Sequence, residues 1–383
     1  MNQILFFKPF DYYYFNATIR NYINIIENMQ NVTIVDCFNF RDVKIDDNPI
    51  VIYLPFTLFG ISVNQFISVS NRIKKAYVAP NFRKIDFELA NNYYCMFHRV
   101  YSNSKHTIAI LTEYDPHALL EDDLISNYIN RDTDYFLLAG HELYDFTLHD
   151  TQKPDIDMTR FNRAYQFLYE NRNRVISLSH FVDISEFSRI DDFYFKKNRL
   201  RSAPGARYLN RKRFIEIHVT KNRFDSFKTF FDYFILKSIW QIPWPKLKIK
   251  LSKIYFDNII KSSVFTYTCG STAGFFIRKF IEIPAYNSCL VTHNYKFLKS
   301  LGFVENQHYL QIENIIDFAS PKDFYSNLEA FKKVHLIILN SRKLIFEKHS
   351  IISHHQYLLD TIDSIKNKTF NGSYWEDGYY KFY

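Results

Sequence analysis

The sequence is poor in the residues that mark several classes of protein. Only 8 of its 383 residues are glycine and 11 are proline, which excludes collagen-like and low-complexity chains. The four cysteines lie far apart, with no CxxC pair and no Cys/His pair at zinc spacing, so they predict buried thiols in a reducing compartment. No apolar run approaches the about 18 residues of a transmembrane helix, and the N-terminus lacks the basic segment of a signal peptide. These absences predict a cytoplasmic protein.

Apolar and aromatic side chains are abundant instead. Hydrophobic residues make up 47% of the chain and charged residues 23%, with 39 Phe and 29 Tyr, so the chain can bury a large core and is not disordered. The formal net charge of +8 is modest for a chain of this size. The length predicts two domains.

Short apolar runs alternate with longer polar-interrupted stretches. In the first half these runs are ILFF (4–7), VTIVD (32–36), IVIYLP (50–55), KAYVAP (75–80), HTIAILT (106–112) and DYFLLAG (134–140). Continuous apolar runs are typical of strands buried on both faces, and the stretch 16–30 has the apolar spacing of a helix. Strands that alternate with helices predict an α/β fold with parallel sheets.

The same rhythm returns after a polar stretch. The later runs are RVISLSH (174–180), RFIEIHV (213–219), SVFTYT (263–268), SCLVTH (288–293) and HYLQI (308–312), followed by a helical stretch at 321–363. We therefore predict two Rossmann-like domains whose parallel sheets face each other across a cleft, where ligands bind at the carboxyl ends of strands. The predicted segments are a first domain at 1–150, a linker and helix at 151–173, a second domain at 174–360, and an aromatic tail at 361–383 that docks on a surface.

The segment 263–293 is the most informative. It predicts a strand, a tight turn at Gly270, Ser271 and Thr272, and a helix from about Ala273 to Ala285. Glycine at a strand end followed by a helix N-terminus favours an anion such as phosphate, although Ser271 or Thr272 could equally be a helix N-cap. The helix carries three charged residues, Arg278, Lys279 and Glu282. Arg278 and Glu282 are also spaced for a surface ion pair.

The run IRKFIEIPAYNSCLVTHNYKFLKSLGFVENQHYL (277–310) is similar to the donor-binding half of GT-B-class glycosyltransferases, especially bacterial ones of the spore-maturation glycosyltransferase group. The resemblance covers roughly 175–360. It implies that Glu282 binds the ribose of a nucleotide sugar and that Gly302-Phe303 corresponds to a later G-F step. Asn287-Ser288 departs from the common form, in which a glycine often stands.

A basic segment, KKNRLRSAPGARYLNRKR (196–213), holds eight cations and no acid. Glycine with paired cations suits a diphosphate, because arginine contacts phosphate oxygens through two N–H groups at once. The resembling family often has a G-x-x-Y-x-x-R motif here, which Gly205, Tyr208 and Arg211 match. A basic surface loop is the alternative, and a nucleic-acid site is the rival function.

A catalytic base is expected from the first domain, across the cleft. Glu113, Asp115 and His117 follow the HTIAIL strand, and His141 follows the DYFLL strand. A carboxylate or imidazole there could deprotonate an acceptor hydroxyl. Asp115 as a helix N-cap and His117 as a first-turn residue are the structural alternatives.

Two further features complete the candidates. His349, His354 and His355 do not fall on one helical face and have no completing ligand, so they do not predict a metal site. The segment 230–253 combines tryptophans with lysines, which suits peripheral contact with a membrane, although PKLKIKL also fits an edge strand.

These observations and the resemblance together predict a glycosyltransferase. It would move a sugar from a nucleotide-sugar donor to a saccharide or lipid-linked saccharide acceptor, in bacterial surface polysaccharide or glycolipid synthesis. No D-x-D motif stands at a strand end in a metal-binding context, so the expectation is a metal-independent enzyme without cofactor and without a nucleic-acid partner. The alternative is a non-catalytic protein that binds nucleic acid or an anionic surface through 196–213 and exposed aromatics.

Overall fold

Six of the apolar runs pair into one parallel sheet. In the computed structural model the strands of this sheet are β1 (Ile4–Phe7), β2 (Val32–Val35), β3 (Ile50–Tyr53), β4 (His106–Leu111), β5 (Tyr135–Gly140) and β6 (Val175–Ser179), in the order β2-β1-β3-β4-β5-β6. The structure describes residues 3–8, 17–54, 64, 67, 85–111, 133–140, 167–189, 197–205, 209–220, 223–270, 276–315 and 318–383. The predicted run at 75–80 lies outside them.

Alternate residues of these strands enter two separate cores, because successive side chains of a strand point to opposite faces. One face packs on helix α2 (Phe87–Ser102). The other packs on α1 (Ala17–Glu27) and on the C-terminal helix α10 (Ile351–Lys366). The continuous apolar runs are thus explained by burial on both faces, as predicted.

A second parallel sheet has four strands. They are β7 (Arg199–Ser202), β8 (Ser263–Tyr267), β9 (Cys289–Thr292) and β10 (Leu310–Gln311), in the order β10-β9-β8-β7. The helices of this part are α3 (Leu209–Phe214), α4 (Arg223–Trp240), α5 (Pro245–Lys261), α6 (Lys279–Ala285), α7 (Lys296–Ser300), α8 (Pro321–Ser326) and α9 (Leu328–Lys348). The α/β fold with two parallel sheets is confirmed.

Several boundaries differ from the prediction. The strand at 175–179, placed by the sequence in the second half, pairs with β5 and ends the first sheet. The run 213–219 is not a strand, because it ends α3 and continues as a π-helical turn, Ile215–Val219. Conversely, the basic segment contains the unpredicted strand β7, and PKLKIKL belongs to a helix. The acceptor- and donor-binding roles of the two halves stay predictions.

The aromatic tail docks on the first sheet. It forms a hairpin of β11 (Ser373–Glu376) and β12 (Tyr379–Phe382), and the Trp375 indole N–H donates to the Ser177 carbonyl on β6 at 2.9 Å. All four cysteines are free, and of these only Cys95 is exposed. Among the described residues, no helix is both long and apolar enough to cross a membrane.

Candidate functional site

Three loops meet at the carboxyl edge of the second sheet. Strands β7, β8 and β9 are parallel neighbours, so the segments that follow them leave from the same edge, where α/β folds bind ligands. Gly205 follows β7 and Gly270 follows β8. The Gly270 N–H donates to the hydroxyl of Tyr295, which follows β9, at 3.2 Å. This contact ties two of the three loops together.

Two cations lie against Gly205. This residue has φ +113°, and a Cβ there would collide with Lys279 Nζ and lie 2.9 Å from Arg211 Nη1. Glycine therefore allows both the backbone conformation and the close approach of the two side chains. Lys279 Nζ also donates to the Pro204 carbonyl at 3.3 Å and lies 5.1 Å from the centre of the Phe256 ring. The structure thus brings together three residues that the sequence proposed from separate motifs.

Arg211 is fully buried at this edge. It projects from α3, and its Nη2 contacts Cys269 Sγ at 3.8 Å. The next two residues of the helix, Lys212 and Arg213, are exposed. Arg211 therefore differs from these two neighbours in being buried at the edge where Gly205 and Lys279 lie.

Aromatic rings line the same edge. The Tyr267 ring stacks on Phe214 with centroids 4.3 Å apart and meets His293 edge to face at 5.9 Å. Burial raises the pKa of the Tyr267 hydroxyl above its usual value, so the hydroxyl stays protonated and can donate. Burial likewise lowers the pKa of His293.

Two strand-end hydroxyls at this edge stand out. Tyr267 ends β8 and Thr292 ends β9. Within the described part of the chain, both hydroxyls are buried without a hydrogen-bond partner. Buried polar groups are nearly always hydrogen-bonded in native proteins, so each such exception needs an explanation, and a ligand at this edge is one.

Arg278 and Glu282 form the ion pair that the sequence left open, and it is buried rather than on the surface. Arg278 Nε lies 2.8 Å from Glu282 Oε1, and the guanidinium also binds both carboxylate oxygens of Glu186. Burial alone would lower the pKa of Arg278, but Glu282 and Glu186 outweigh it and raise that pKa. Two carboxylates already compensate this cation, so Lys279 is better placed than Arg278 to meet an added anion.

Glu186 connects the two parts of the molecule. It lies in the segment after β6, and it also accepts from the Tyr286 hydroxyl at 3.3 Å and lies 3.6 Å from Lys253 Nζ. Burial would raise its pKa, but the charges of Arg278 and Lys253 hold the pKa of Glu186 below its usual value. Sequence reasoning missed Glu186, because its partner Arg278 is 92 residues away in the chain.

The helix that was expected to begin near Ala273 begins at Lys279, and Phe276 and Ile277 precede it without helical structure. Ser271, Thr272 and Tyr208 lie outside the described residues. So do all four predicted catalytic residues: Glu113, Asp115, His117 and His141. The strands that precede them, β4 and β5, end at Leu111 and Gly140 and are parallel neighbours in the first sheet.

No metal site is evident in the part of the chain that the structure describes, since it contains no group of three or more His, Cys, Asp or Glu side chains able to hold an ion. The cations at Gly205 suit an anionic ligand instead. Chemically, this edge can bind phosphate oxygens through Arg211 and Lys279 and can donate from Tyr267.

No family model matches the sequence, and no curated protein matches it. Solved structures do match. HepE from Anabaena in complex with UDP is similar over 94% of this chain and 100% of its own, at 10% identity and a TM-score of 0.45. A glycosyltransferase from Rickettsia africae is similar over 95% of this chain and 98% of its own, at 11% identity and a TM-score of 0.43.

Proposed function

We propose that this chain is a glycosyltransferase of the GT-B class, which transfers a sugar from a nucleotide-sugar donor to a saccharide acceptor. One observation carries the proposal: Arg211 and Lys279 converge on Gly205 at the carboxyl edge of the second sheet. Arg211 and Lys279 come from two different segments of the chain, and the sequence resemblance implies that both segments bind the donor. Convergent cations at such an edge suit the diphosphate of a nucleotide sugar.

Catalysis in this proposal stabilises the departing nucleoside diphosphate. Arg211 and Lys279 would compensate the charge that develops on the leaving phosphate oxygens, and the buried Tyr267 hydroxyl would donate there. Glu282 would bind the ribose. A base from the first domain, with Asp115 as the first choice and His117, Glu113 or His141 next, would take the proton of the acceptor hydroxyl.

The wider setting is also a proposal. The acceptor would be a saccharide or a lipid-linked saccharide of a bacterial surface polysaccharide or glycolipid, and the reaction would proceed without metal. The enzyme would act in the cytoplasm, peripherally at the inner face of the membrane.

The alternative of a nucleic-acid-binding basic loop is not favoured by the geometry of 196–213. Arg201 is buried, Arg199 forms an ion pair with Asp232, and Lys197 donates to the Lys261 carbonyl at 2.8 Å. Three of the eight cations are therefore engaged within the protein rather than turned toward a solvent-exposed polyanion. Binding to random oligonucleotides with a steep salt dependence, and no binding of nucleotide sugars, would restore that alternative.

The test of the donor site compares two arginines of one helix. A thermal-shift and calorimetric screen against UDP, UDP-glucose and other nucleotides and nucleotide sugars should find a ligand that raises the melting temperature, because a ligand that binds only the folded state stabilises it. Arg211→Gln should weaken that binding about 10- to 100-fold, the equivalent of a charged hydrogen bond. Arg213→Gln, exposed two residues along, should bind as the parent does. The donor site is wrongly placed if the two variants behave alike.

A further inference from the structure

Helix α4 has its polar and apolar faces reversed relative to an ordinary surface helix. Its two acids point inward: Asp225 accepts from the backbone N–H groups of Leu200 and Arg201 on β7, at 3.2 and 3.1 Å. Asp232 accepts from Arg199 Nη2 and from the Tyr255 hydroxyl, both at 2.8 Å. The inward face of α4 is therefore attached to the protein through hydrogen bonds and an ion pair of its two carboxylates, whereas surface helices usually pack an apolar stripe on the core.

The opposite face of α4 is an exposed row of phenylalanines. Phe227, Phe230, Phe231 and Phe234, here called the aromatic ridge, are between 52% and 67% exposed. They stand at positions i, i+3, i+4 and i+7, which share one helical face, and the rings of Phe227 and Phe231 stack at 6.2 Å. The helix is about 27 Å long at 1.5 Å per residue. An exposed apolar face of this extent marks an interaction surface.

Two tryptophans at the turn between α4 and α5 are exposed as well. Trp240 is 50% exposed and Trp244, which precedes α5, is 66% exposed. The third tryptophan of the chain, Trp375, is buried. Lys248 Nζ lies over the Trp240 ring at 5.3 Å. Tryptophan beside lysine is the pair of residues that settles at the headgroup level of a bilayer.

The charge around the ridge is one-sided. Residues 223–261 contain eight Lys or Arg and three acids. Asp225 and Asp232 are bonded inward, and Asp257 is paired with Lys253 at 3.0 Å. Lys237 and Lys250 are exposed. The outward charge of the α4–α5 hairpin is thus positive.

We propose that the α4–α5 hairpin binds the surface of an anionic lipid bilayer, with the aromatic ridge buried at the boundary of headgroups and acyl chains and the lysines against lipid phosphates. The charge decides between this occupant and a second copy of the chain. Ridge-to-ridge packing of two copies would bring two positive surfaces together, whereas an anionic leaflet attracts them. This proposal names the surface for the peripheral membrane location in the proposed function, and it does not depend on the transfer reaction itself.

Tryptophan emission tests the contact without any substitution. The full chain is titrated with vesicles of phosphatidylcholine alone or of phosphatidylcholine with phosphatidylglycerol. Anionic vesicles should shift the emission to shorter wavelength, and brominated lipid should quench it, because the two exposed tryptophans lie on the hairpin. Unchanged emission with anionic vesicles would overturn the proposal, whatever the outcome of the nucleotide-sugar screen.

Vesicle cosedimentation tests which residues are responsible. The double variant Phe230→Ser/Phe234→Ser should bind anionic vesicles at least about tenfold more weakly, because both rings leave the apolar phase. Phe346→Ser is the matched control, since Phe346 is 52% exposed on α9, and it should bind as the parent does. Lys237→Gln and Lys250→Gln should each lower binding about fivefold, the effect expected for one lysine near an anionic surface.

Two results would contradict this assignment. One is a ridge variant that retains its fold by circular dichroism and binds vesicles as the parent does. The other is a parent that sediments as a dimer at low salt and a ridge variant that sediments as a monomer, because the ridge would then be covered by a second copy. If the serine variant does not fold, the lysine variants and the emission titration still decide.

Discussion

At the scale of single residues, Glu282 is held by Arg278, and its predicted ribose contact must coexist with this ion pair. Arg278 Nε lies 2.8 Å from Oε1 of the Glu282 carboxylate, and the Glu282 side chain is 11% exposed. The carboxylate is therefore fixed in orientation before any ligand arrives, which lowers the entropy cost of binding. Loss of its charge should consequently affect both the fold and the donor site.

The prediction for Glu282 separates these two effects with a second carboxylate. Glu282→Gln and Glu186→Gln each remove one of the two anions that compensate Arg278, so both should lower the melting temperature. Only Glu282→Gln should also weaken nucleotide-sugar binding, by about tenfold or more. Isothermal titration with the donor found in the ligand screen gives the measurement. Equal donor affinities for the two variants would remove Glu282 from the ribose site.

The candidate site was partly predictable for a physical reason. Gly205 and Arg211 are six residues apart, and the motif spacing found them from local sequence. Tyr267, Tyr295 and Glu186 were missed because their contacts join strands and segments far apart in the chain. Continuity of apolar residues predicts burial, but it does not say which buried side chain meets a cation across the sheet.

At the scale of elements, continuous apolar runs predicted strands well where both faces are buried. The strand predicted at 213–219 was wrong, because a short apolar run fits a helical turn as well as a strand. The segment is a π-helical turn, and Ile217 within it is 54% exposed. β7 was not predicted because it lies in a basic segment rather than in an apolar run. The acids of α4 bind the backbone of β7 and its arginine. The sequence placed β6 in the second domain, but it pairs in the first sheet. Which sheet a strand joins depends on packing, and the order of strands along the chain does not show it.

The G-F step of the resemblance has a structural explanation at this scale. Gly302 caps α7 with φ +86°, and a Cβ there would lie 2.8 Å from the Gly378 Cα of the C-terminal hairpin. Phe303 is buried and stacks on His349 with centroids 5.9 Å apart. The pair therefore ends a helix and lets the hairpin approach, which needs no ligand.

Gly302→Ala should therefore destabilise the protein. A non-glycine residue in this conformation costs about 1–3 kcal/mol, and the contact with Gly378 adds to that cost. Gly378→Ala is the control, because its φ is similar at +81° but its Cβ would meet the nearest atom at 3.2 Å. Urea unfolding should rank the variants Gly302→Ala, Gly378→Ala and parent in rising stability. The close approach of the two glycines is unimportant if Gly302→Ala is the more stable variant.

At the scale of the whole molecule, two buried histidines join the first sheet to the second part of the chain. Ser179 at the end of β6 contacts His349 Nδ1 at 3.1 Å and His354 Nε2 at 3.2 Å. His349 Nε2 bonds the Leu301 carbonyl at 2.9 Å. Both histidines are fully buried, so this junction is formed with neutral imidazoles.

The junction makes stability depend on pH in a definite direction. Burial lowers the pKa of His349 to about 4, with the Leu301 hydrogen bond opposing and Lys348 adding to the effect. Burial, followed by the charge of His349, lowers the pKa of His354 well below its usual value. In the unfolded chain both titrate near 6.5, so between about pH 6.5 and 4 the unfolded state binds more protons, and stability falls as pH falls.

The expected loss is large enough to measure. One pKa unit is worth about 1.4 kcal/mol, so His349 alone should cost about 3 kcal/mol between neutral pH and pH 4. Glu186, whose pKa is lowered, loses its contribution only below about pH 4.5, so urea unfolding between pH 7 and 4.5 isolates the histidines. His349→Gln should reduce the slope over that range by the share of one histidine, because His354 and His308, whose pKa values are also lowered, still contribute, while His355→Gln, one residue beyond His354 on α10, should keep the parent's slope. A parent whose unfolding free energy is constant from pH 7 to 4.5 would contradict the lowered pKa values of the buried histidines and the pH-dependent junction with them.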